Sequence, residues 1–207
     1  MGVRQKLRSL AAAAGKTAAR VRRSSRPNEE DSKIVAIPPL DAVRLTIDNS
    51  VIIASIKADD HGHHAAMAAM ALISDAAASG RALIHQPAIH VLEAASAYMR
   101  MQKEIKKAFH NASTRPPGVE LPATYHDVTV RRVFDFWTWH CARCGDDAPY
   151  VKRGADLTYL MIAVREDATL ITQDDGLLRY DGKGIRVLRP TTLLADPDLL
   201  RALGSTG

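Results

Sequence analysis

Short apolar runs with the composition of β-strands alternate along this chain with segments of helical periodicity. We predict strands at residues 43–47, 82–85, 169–172 and 185–188. The predicted helices span residues 50–56, 87–109 and 127–144, with others running from Asp59 and Asp60 to Gly80, from Asp156 onward, from Gly176 and at the chain end. Because parallel strands need crossover connections, this alternation favours a three-layer α/β/α fold around a mainly parallel central sheet.

The positive charge of the chain is concentrated at its N-terminus. The formal net charge is +5, but the first 26 residues contain eight Lys and Arg and no acidic residue, which leaves 20 basic and 23 acidic residues beyond them. We therefore predict a disordered basic extension and linker at residues 1–40 and a folded domain at residues 41–207. The domain is mildly acidic, so any contact between it and nucleic acid must depend on local patches.

The composition also bears on compartment. No uninterrupted apolar stretch of about 18 residues exists, which argues against a transmembrane helix, and two cysteines suit a reducing compartment. The basic extension has the composition of an organelle transit peptide as well, although a fraying surface extension is the simpler interpretation. We expect a cytoplasmic protein that does not bind membranes.

Four acidic residues occupy positions where the apolar pattern predicts packing. Asp48 follows the first strand, Glu93 lies in the helix after the second, Asp156 opens a later helix and Asp174 follows the strand at residues 169–172. A buried carboxylate loses hydration that apolar packing cannot restore, and no Lys or Arg stands at matching positions. A divalent cation is therefore the predicted partner of these carboxylates.

The residue types indicate which cation and which chemistry. Ligands that are all oxygen suit Mg²⁺ or Mn²⁺ rather than zinc. The hydroxyls of Ser50 and Thr172 are placed to hydrogen-bond to the carboxylates and orient them. Because a bound cation activates water and offsets charge on a phosphoryl group, phosphodiester hydrolysis is the predicted reaction.

Taken in order, these motifs resemble those of the PIN-domain nucleases over about residues 43–195. Asp48-Asn-Ser after an apolar strand resembles the opening motif, and Glu93 lies where the second acid belongs. Gly-Ala-Asp156 and Thr172-Gln-Asp174 resemble the third and fourth motifs, and Ile185-Arg-Val-Leu with a following proline resembles the closing strand. Two features depart from the pattern: Asn49 stands where the family often has Thr, and an insert around residues 111–150 lengthens the chain between the second and third acids.

The resemblance implies a Mg²⁺- or Mn²⁺-dependent endoribonuclease similar to the VapC-type toxins of toxin–antitoxin systems. It implies that Asp48, Glu93, Asp156 and Asp174 are catalytic metal ligands, with Asp175 as an alternative to its neighbour. It further implies an RNA substrate, a homodimer and a small antitoxin protein as partners.

Two other functions fit parts of the pattern. A catalytically idle PIN-like module could bind RNA or a protein through the basic extension. A phosphatase of the haloacid-dehalogenase type also has an Asp after its first strand, but that class needs a second Asp two positions later, where this chain has Ser50. Metal-dependent RNA cleavage by the purified protein separates these hypotheses.

Histidines and cysteines form weaker patterns. We interpret His61, His63 and His64 as a polar loop that leads into a helix. Cys141 and Cys144 look like half of a zinc site that lacks its second pair of ligands. Because they share a helical stripe with Val130, Phe134 and Trp137, we predict thiols that face apolar neighbours. The aromatic cluster at residues 134–139 is predicted to pack against the body or a second subunit rather than to stack on bases.

Overall fold

The computed structural model describes residues 41–100, 123–144 and 154–205. The predicted extension at residues 1–40, the end of the helix predicted at 87–109 and much of the predicted insert lie outside this part of the chain. The division into extension and domain therefore stays a prediction. No helix within the described ranges is long and apolar enough to cross a membrane.

A parallel sheet of five strands runs through the described chain. The strands are β1 (Val43–Ile47), β2 (Ala82–Pro87), β3 (Ala123–His126), β4 (Thr169–Ile171) and β5 (Val187–Leu188). Their order is β3-β2-β1-β4-β5, and every adjacent pair is parallel. The helices are α1 (Asn49–Ile56), α2 (His63–Ala78), α3 (Ile89–Arg100), α4 (Val130–Cys144), α5 (Gly154–Arg165), α6 (Asp175–Leu178), α7 (Pro190–Ala195) and α8 (Pro197–Leu203).

Each face of the sheet is covered by its own apolar core. Successive strand residues point to opposite faces, so Ile171 of β4 joins the core formed with α1, α2, α7 and α8, while Leu170 joins the core formed with α4, α5 and α6. Leu188 and Val187 of β5 divide in the same way. The predicted three-layer α/β/α architecture with a parallel sheet is therefore confirmed.

The edge strand β3 is a feature that the sequence analysis missed. Its four residues, Ala-Thr-Tyr-His, are partly exposed and lack the run of Val, Ile and Leu that marks the inner strands. They pair with Ile84 to Pro87 of β2. Because an edge strand meets only one neighbour and little of the core, its pattern is weak, and tertiary pairing decides its conformation.

Two details of the helices differ from the predictions. The second helix begins at His63, one residue after Gly62, and its start has no side-chain cap; Asp60 instead accepts from the Gly62 amide at 2.9 Å in the preceding turn. In α4 the side chains of Val130 and Phe134 are 74% and 67% exposed. The described chain leaves both side chains uncovered, so their packing against a second subunit stays a prediction.

The neighbouring face of α4 packs on the body instead. Phe136 and His140 are buried, and Phe136 belongs to the core around α5 and α6. Cys141 is a half-buried free thiol, while the side chain of Cys144 lies outside the described atoms.

The strand order creates a crevice at the carboxyl ends of β1 and β4. The chain leaves β1 for β2 on one side of the sheet, and β4 pairs with β1 on the other side. Connections that depart to opposite sides open a gap above such a switch point, where ligands of α/β sheets usually bind. The amide of Asp48 donates to the Ile171 carbonyl at 2.9 Å, which joins the two strand ends directly.

Candidate active site

A cavity of about 390 Å³ opens at this switch point and collects acids from four separate elements. Asp48 follows β1, Glu93 lies on α3, Asp156 lies in the first turn of α5 and Asp174 follows β4. All four line the cavity. The structure therefore brings together the four acids that the sequence analysis named as metal ligands, without the alternative Asp175.

Asp48 is the most deeply buried of the four, with 6% of its surface exposed. Its Oδ2 accepts hydrogen bonds from the Ser50 hydroxyl at 2.5 Å and from the Thr172 hydroxyl at 2.7 Å. Burial raises the pKa of this carboxyl above its usual value; the two hydroxyls act in the opposite direction, and the charge of Glu93 adds to the rise. Without a cation, burial therefore makes the ionised form of Asp48 less favourable, relative to the protonated form, than it would be in water.

Asp174 is fixed by the backbone that surrounds it. Its Oδ1 accepts from the amides of Gly176 at 2.6 Å and Leu177 at 3.3 Å, so the residue caps the N-terminus of α6. Its own amide donates to the Thr172 hydroxyl at 3.0 Å. Both cap bonds use Oδ1, and Thr172 connects this residue to Asp48.

Asp175, the alternative to Asp174, has a different environment. Its side chain is 79% exposed and pairs with Arg189. It is not among the described residues that line the cavity. The geometry therefore favours Asp174 over Asp175 as the acid at this position.

Glu93 is held by two residues, Tyr159 and Asn49, and a third, His90, supports Tyr159; the sequence analysis assigned none of them to the site. Its Oε2 accepts from the Tyr159 hydroxyl at 2.7 Å and from the Asn49 side-chain amide at 3.3 Å. The Tyr159 oxygen lies 3.0 Å from Nδ1 of His90. Because Tyr159 donates its proton to Glu93, the tyrosine oxygen accepts from His90, which requires a proton on Nδ1 of the histidine.

The environment of His90 and Tyr159 is consistent with these protonation states. Burial lowers the pKa of His90 to about 4. Burial and the adjacent charge of Glu93 raise the pKa of the Tyr159 hydroxyl far above its usual range. At neutral pH the histidine is thus uncharged and the tyrosine keeps the proton that it donates to Glu93.

The lining of the cavity is strongly acidic. Among the described residues it contains five carboxylates, those of Asp60 and the four acids above, and one guanidinium, that of Arg100. The Oδ1 atom of Asn49 is buried and has no hydrogen-bond partner among the described atoms. A site that concentrates carboxylate oxygens beside an unsatisfied amide oxygen matches the ligands preferred by Mg²⁺ and Mn²⁺.

Several solved structures are similar to this chain. PAE2754 from Pyrobaculum aerophilum is 16% identical, with a TM-score of 0.50 over 74% of this chain and 96% of that one. FitAcB from Neisseria gonorrhoeae (15%, TM-score 0.49) and VapBC2 from Rickettsia felis bound to a promoter DNA fragment (11%, TM-score 0.48) each match 71% of this chain and 98% of theirs. No protein-family model and no curated protein matches the sequence.

The sheet order, the two cores and the likeness to PAE2754 define the fold as a three-layer, PIN-like α/β/α fold. At this level of identity the likeness concerns the fold alone. The chemistry of the site must therefore be argued from the side chains of this chain.

Proposed function

We propose that the acidic cavity is the active site of a Mg²⁺- or Mn²⁺-dependent nuclease that hydrolyses RNA phosphodiester bonds, an endoribonuclease of the toxin–antitoxin type. The observation that carries this proposal is the meeting of Asp48, Glu93, Asp156 and Asp174 in one cavity from four separate elements. Helix capping or a position at a strand end does not by itself explain why four carboxylates converge. A shared cation gives that reason, because it offsets their mutual repulsion.

The residues present fit a divalent cation. The four carboxylates would hold it, with the unsatisfied Oδ1 of Asn49 as a further oxygen nearby. When bound, such a cation lowers the pKa of a water molecule and offsets charge on a phosphoryl group. Ser50 and Thr172 fix Asp48, and Tyr159 and Asn49 fix Glu93, so both carboxylates are oriented before any ligand arrives.

Substrate binding must overcome the charge of the cavity. Because acids outnumber basic groups in the described lining, a polyanion is repelled, and the proposed substrate requires the cation and nearby basic groups. Arg100, at the end of α3, is the described basic side chain that lines the cavity. We assign it to a phosphate group of the RNA, because its fork of N–H donors suits a phosphate.

RNA cleavage by the purified full-length protein tests the proposal. We expect cleavage of a labelled RNA mixture with Mg²⁺ or Mn²⁺ and none in EDTA. Asp48→Asn should reduce the rate by more than about 100-fold, beyond the loss typical of residues that only orient metal ligands. Asp198→Asn, on an acid whose side chain is 86% exposed and paired with Arg201, is the matched control and should cleave normally.

Other outcomes would identify the alternative functions. RNA that is bound but intact under every metal condition would indicate an idle binding module. Release of phosphate from monoesters with RNA left intact would indicate a phosphatase. Equal cleavage by Asp48→Asn and the wild type would contradict the proposed site.

Partner proteins form a further part of the proposal. We propose a homodimer and a small antitoxin as partners, as the motif resemblance implies. Exposed apolar side chains on α4, Val130 and Phe134, together with Leu92 and Met99 on α3, provide described surfaces that such partners would cover. Light scattering of the wild type beside Phe134→Ser, with and without the product of any adjacent small gene, measures both associations.

A further inference from the structure

A second group of metal-ligand side chains lies outside the acidic cavity. His85 of β2, His126 at the end of β3 and Glu166 just after α5 each offer one ligand atom, and these atoms lie within 4.8 Å of one another. Among the described residues, no other three His, Cys, Asp or Glu side chains meet this closely. No sequence pattern indicates this group, because its members are 41 and 40 residues apart along the chain.

The interatomic distances suit one small cation. Nδ1 of His85 lies 3.0 Å from Nε2 of His126 and 3.7 Å from Oε2 of Glu166. Ligand atoms around a tetrahedral zinc ion, with bonds of about 2.0–2.1 Å, are separated by roughly 3.3 Å. The two measured separations lie on either side of that value. Two imidazole nitrogens with one carboxylate oxygen are a donor set that zinc accepts and magnesium does not favour.

The backbone fixes the two histidines independently of any cation. His126 lies opposite Pro87 in the pairing of β3 with β2, and its carbonyl accepts from the Ala88 amide at 2.9 Å. The side chains of His85, His126 and Glu166 are 13%, 16% and 23% exposed. The group is thus shielded enough to strengthen electrostatic attraction but remains reachable from solvent.

Arg165 competes with a cation for this group. Its Nη2 donates to Nδ1 of His126 at 2.5 Å and its Nε donates to Oε1 of Glu166 at 2.7 Å. With Arg165 in place, the proton of a neutral His126 must sit on Nε2, where it points toward His85. A cation at this position requires that proton to move to Nδ1 and Arg165 to turn away, with no net release of protons. The Arg165 side chain is 37% exposed and has room to do so.

We propose that His85, His126 and Glu166 form a binding site for a divalent transition ion of the zinc type, which ties the edge strand β3 to β2 and to the end of α5. The site is separate from the acidic cavity. Asp156 lies in the first turn of α5 and Glu166 follows its last residue, and a helix of 12 residues is about 18 Å long. The proposal therefore holds whether or not the cavity is a nuclease site.

Zinc titration calorimetry of the full-length, chelator-treated protein tests the proposal. An excess of Mg²⁺ is included so that the acidic cavity does not take up zinc. The wild type should bind one more equivalent of Zn²⁺ than His126→Gln, and Glu166→Gln should bind that equivalent at least 10-fold more weakly. His64→Gln, on an exposed histidine of α2, is the matched control and should bind as the wild type does.

A fourth variant separates a cation site from a structural ion-pair cluster. Arg165→Gln removes the competing guanidinium, so it should bind Zn²⁺ more tightly than the wild type, and Zn²⁺ should raise its melting temperature by more. In the wild type, Zn²⁺ should slow amide exchange in β3. Equal zinc stoichiometry in the wild type, His126→Gln and Glu166→Gln would overturn the proposal, as would weaker binding by a folded Arg165→Gln.

Discussion

At the scale of single residues, Asp48 differs from the other three acids because it is buried whereas they are half-buried. Burial raises its pKa, so its ionised form costs stability when no cation is present. This cost is absent below the usual pKa of 3.8, grows as the pH rises above that value, and is complete above the raised folded-state pKa.

Asp48→Asn removes the ionisable carboxyl and with it the cost of ionising a buried group in the metal-free protein. We expect the variant to melt at a higher temperature than the wild type at pH 7 in EDTA. The difference should shrink as the pH falls toward 3.8, because protonated Asp48 resembles Asn. Mn²⁺ should then stabilise the wild type more than the variant. A lower melting temperature for the variant at pH 7 in EDTA would mean that the hydrogen bonds to Ser50 and Thr172 need the carboxylate.

Tyr159 gives a second residue-level prediction. Tyr159→Phe removes the hydroxyl that donates to Glu93 and accepts from His90. The buried N–H of His90 loses its acceptor, so we expect a loss of about 1–3 kcal/mol in the free energy of unfolding. Affinity for Mn²⁺ should fall roughly 10–100-fold, as is typical when a group that orients a metal ligand is removed.

Denaturant unfolding and Mn²⁺ titration of the same samples measure both effects. Tyr125→Phe is the matched control, because that side chain is 47% exposed and lies on β3. A destabilised Tyr159→Phe with unchanged Mn²⁺ affinity would show that the network supports the fold and not the site.

At the scale of elements, Asp174 combines two roles that substitutions can separate. It caps α6 through Oδ1 and also lines the cavity. Asn caps a helix about as well as Asp, whereas Ala costs about 1 kcal/mol. We therefore expect Asp174→Asn to keep the stability of the wild type and lose RNA cleavage, and Asp174→Ala to lose both.

Thermal unfolding and RNA cleavage, measured side by side, test this separation. Asp196→Asn serves as the control, because Asp196 caps α8 through the amides of Asp198 and Leu199 but lies outside the cavity lining among the described residues. Full cleavage activity in Asp174→Asn would leave this residue with a capping role alone.

The elements also show which sequence patterns predict secondary structure reliably. Strands β1, β2 and β4 were predicted to within two residues, because buried strands of parallel sheets carry continuous apolar runs. Strand β3 was missed, since one neighbour and partial exposure leave it little apolar character. The stripe of Val130 and Phe134 had the correct helical period, but a period does not say whether the chain itself covers that face.

At the scale of the whole molecule, positive charge is concentrated in the extension and negative charge in the cavity. The first 26 residues contain eight basic and no acidic residues, and the cavity must accept a polyanion under the proposed function. A basic arm offsets this repulsion by contacting phosphates and releasing counterions, an effect that depends steeply on salt.

Deletion of residues 1–26 should therefore weaken RNA binding and flatten its salt dependence. Cleavage at saturating RNA should stay nearly unchanged, because the extension supplies affinity and no catalytic group. Binding isotherms at several salt concentrations measure the first effect, and single-turnover cleavage measures the second. Equal affinity and equal salt slope for the two proteins would favour a targeting or membrane-surface segment, or an unselected extension.

The sequence alone determined the layered fold and the placement of Asp48 and Asp174 at strand ends, because both depend on local order. Apolar strands specify where the chain enters the sheet, and an acid directly after a strand must lie at its carboxyl end. Tertiary structure alone decided the rest. The bond from Tyr159 to Glu93 joins residues 66 positions apart, and the choice of Asp174 over Asp175 depends on which side chain turns into the cavity. The contact of His85 with His126 requires the edge pairing of β3. Such contacts follow from how elements pack, and no local periodicity encodes them.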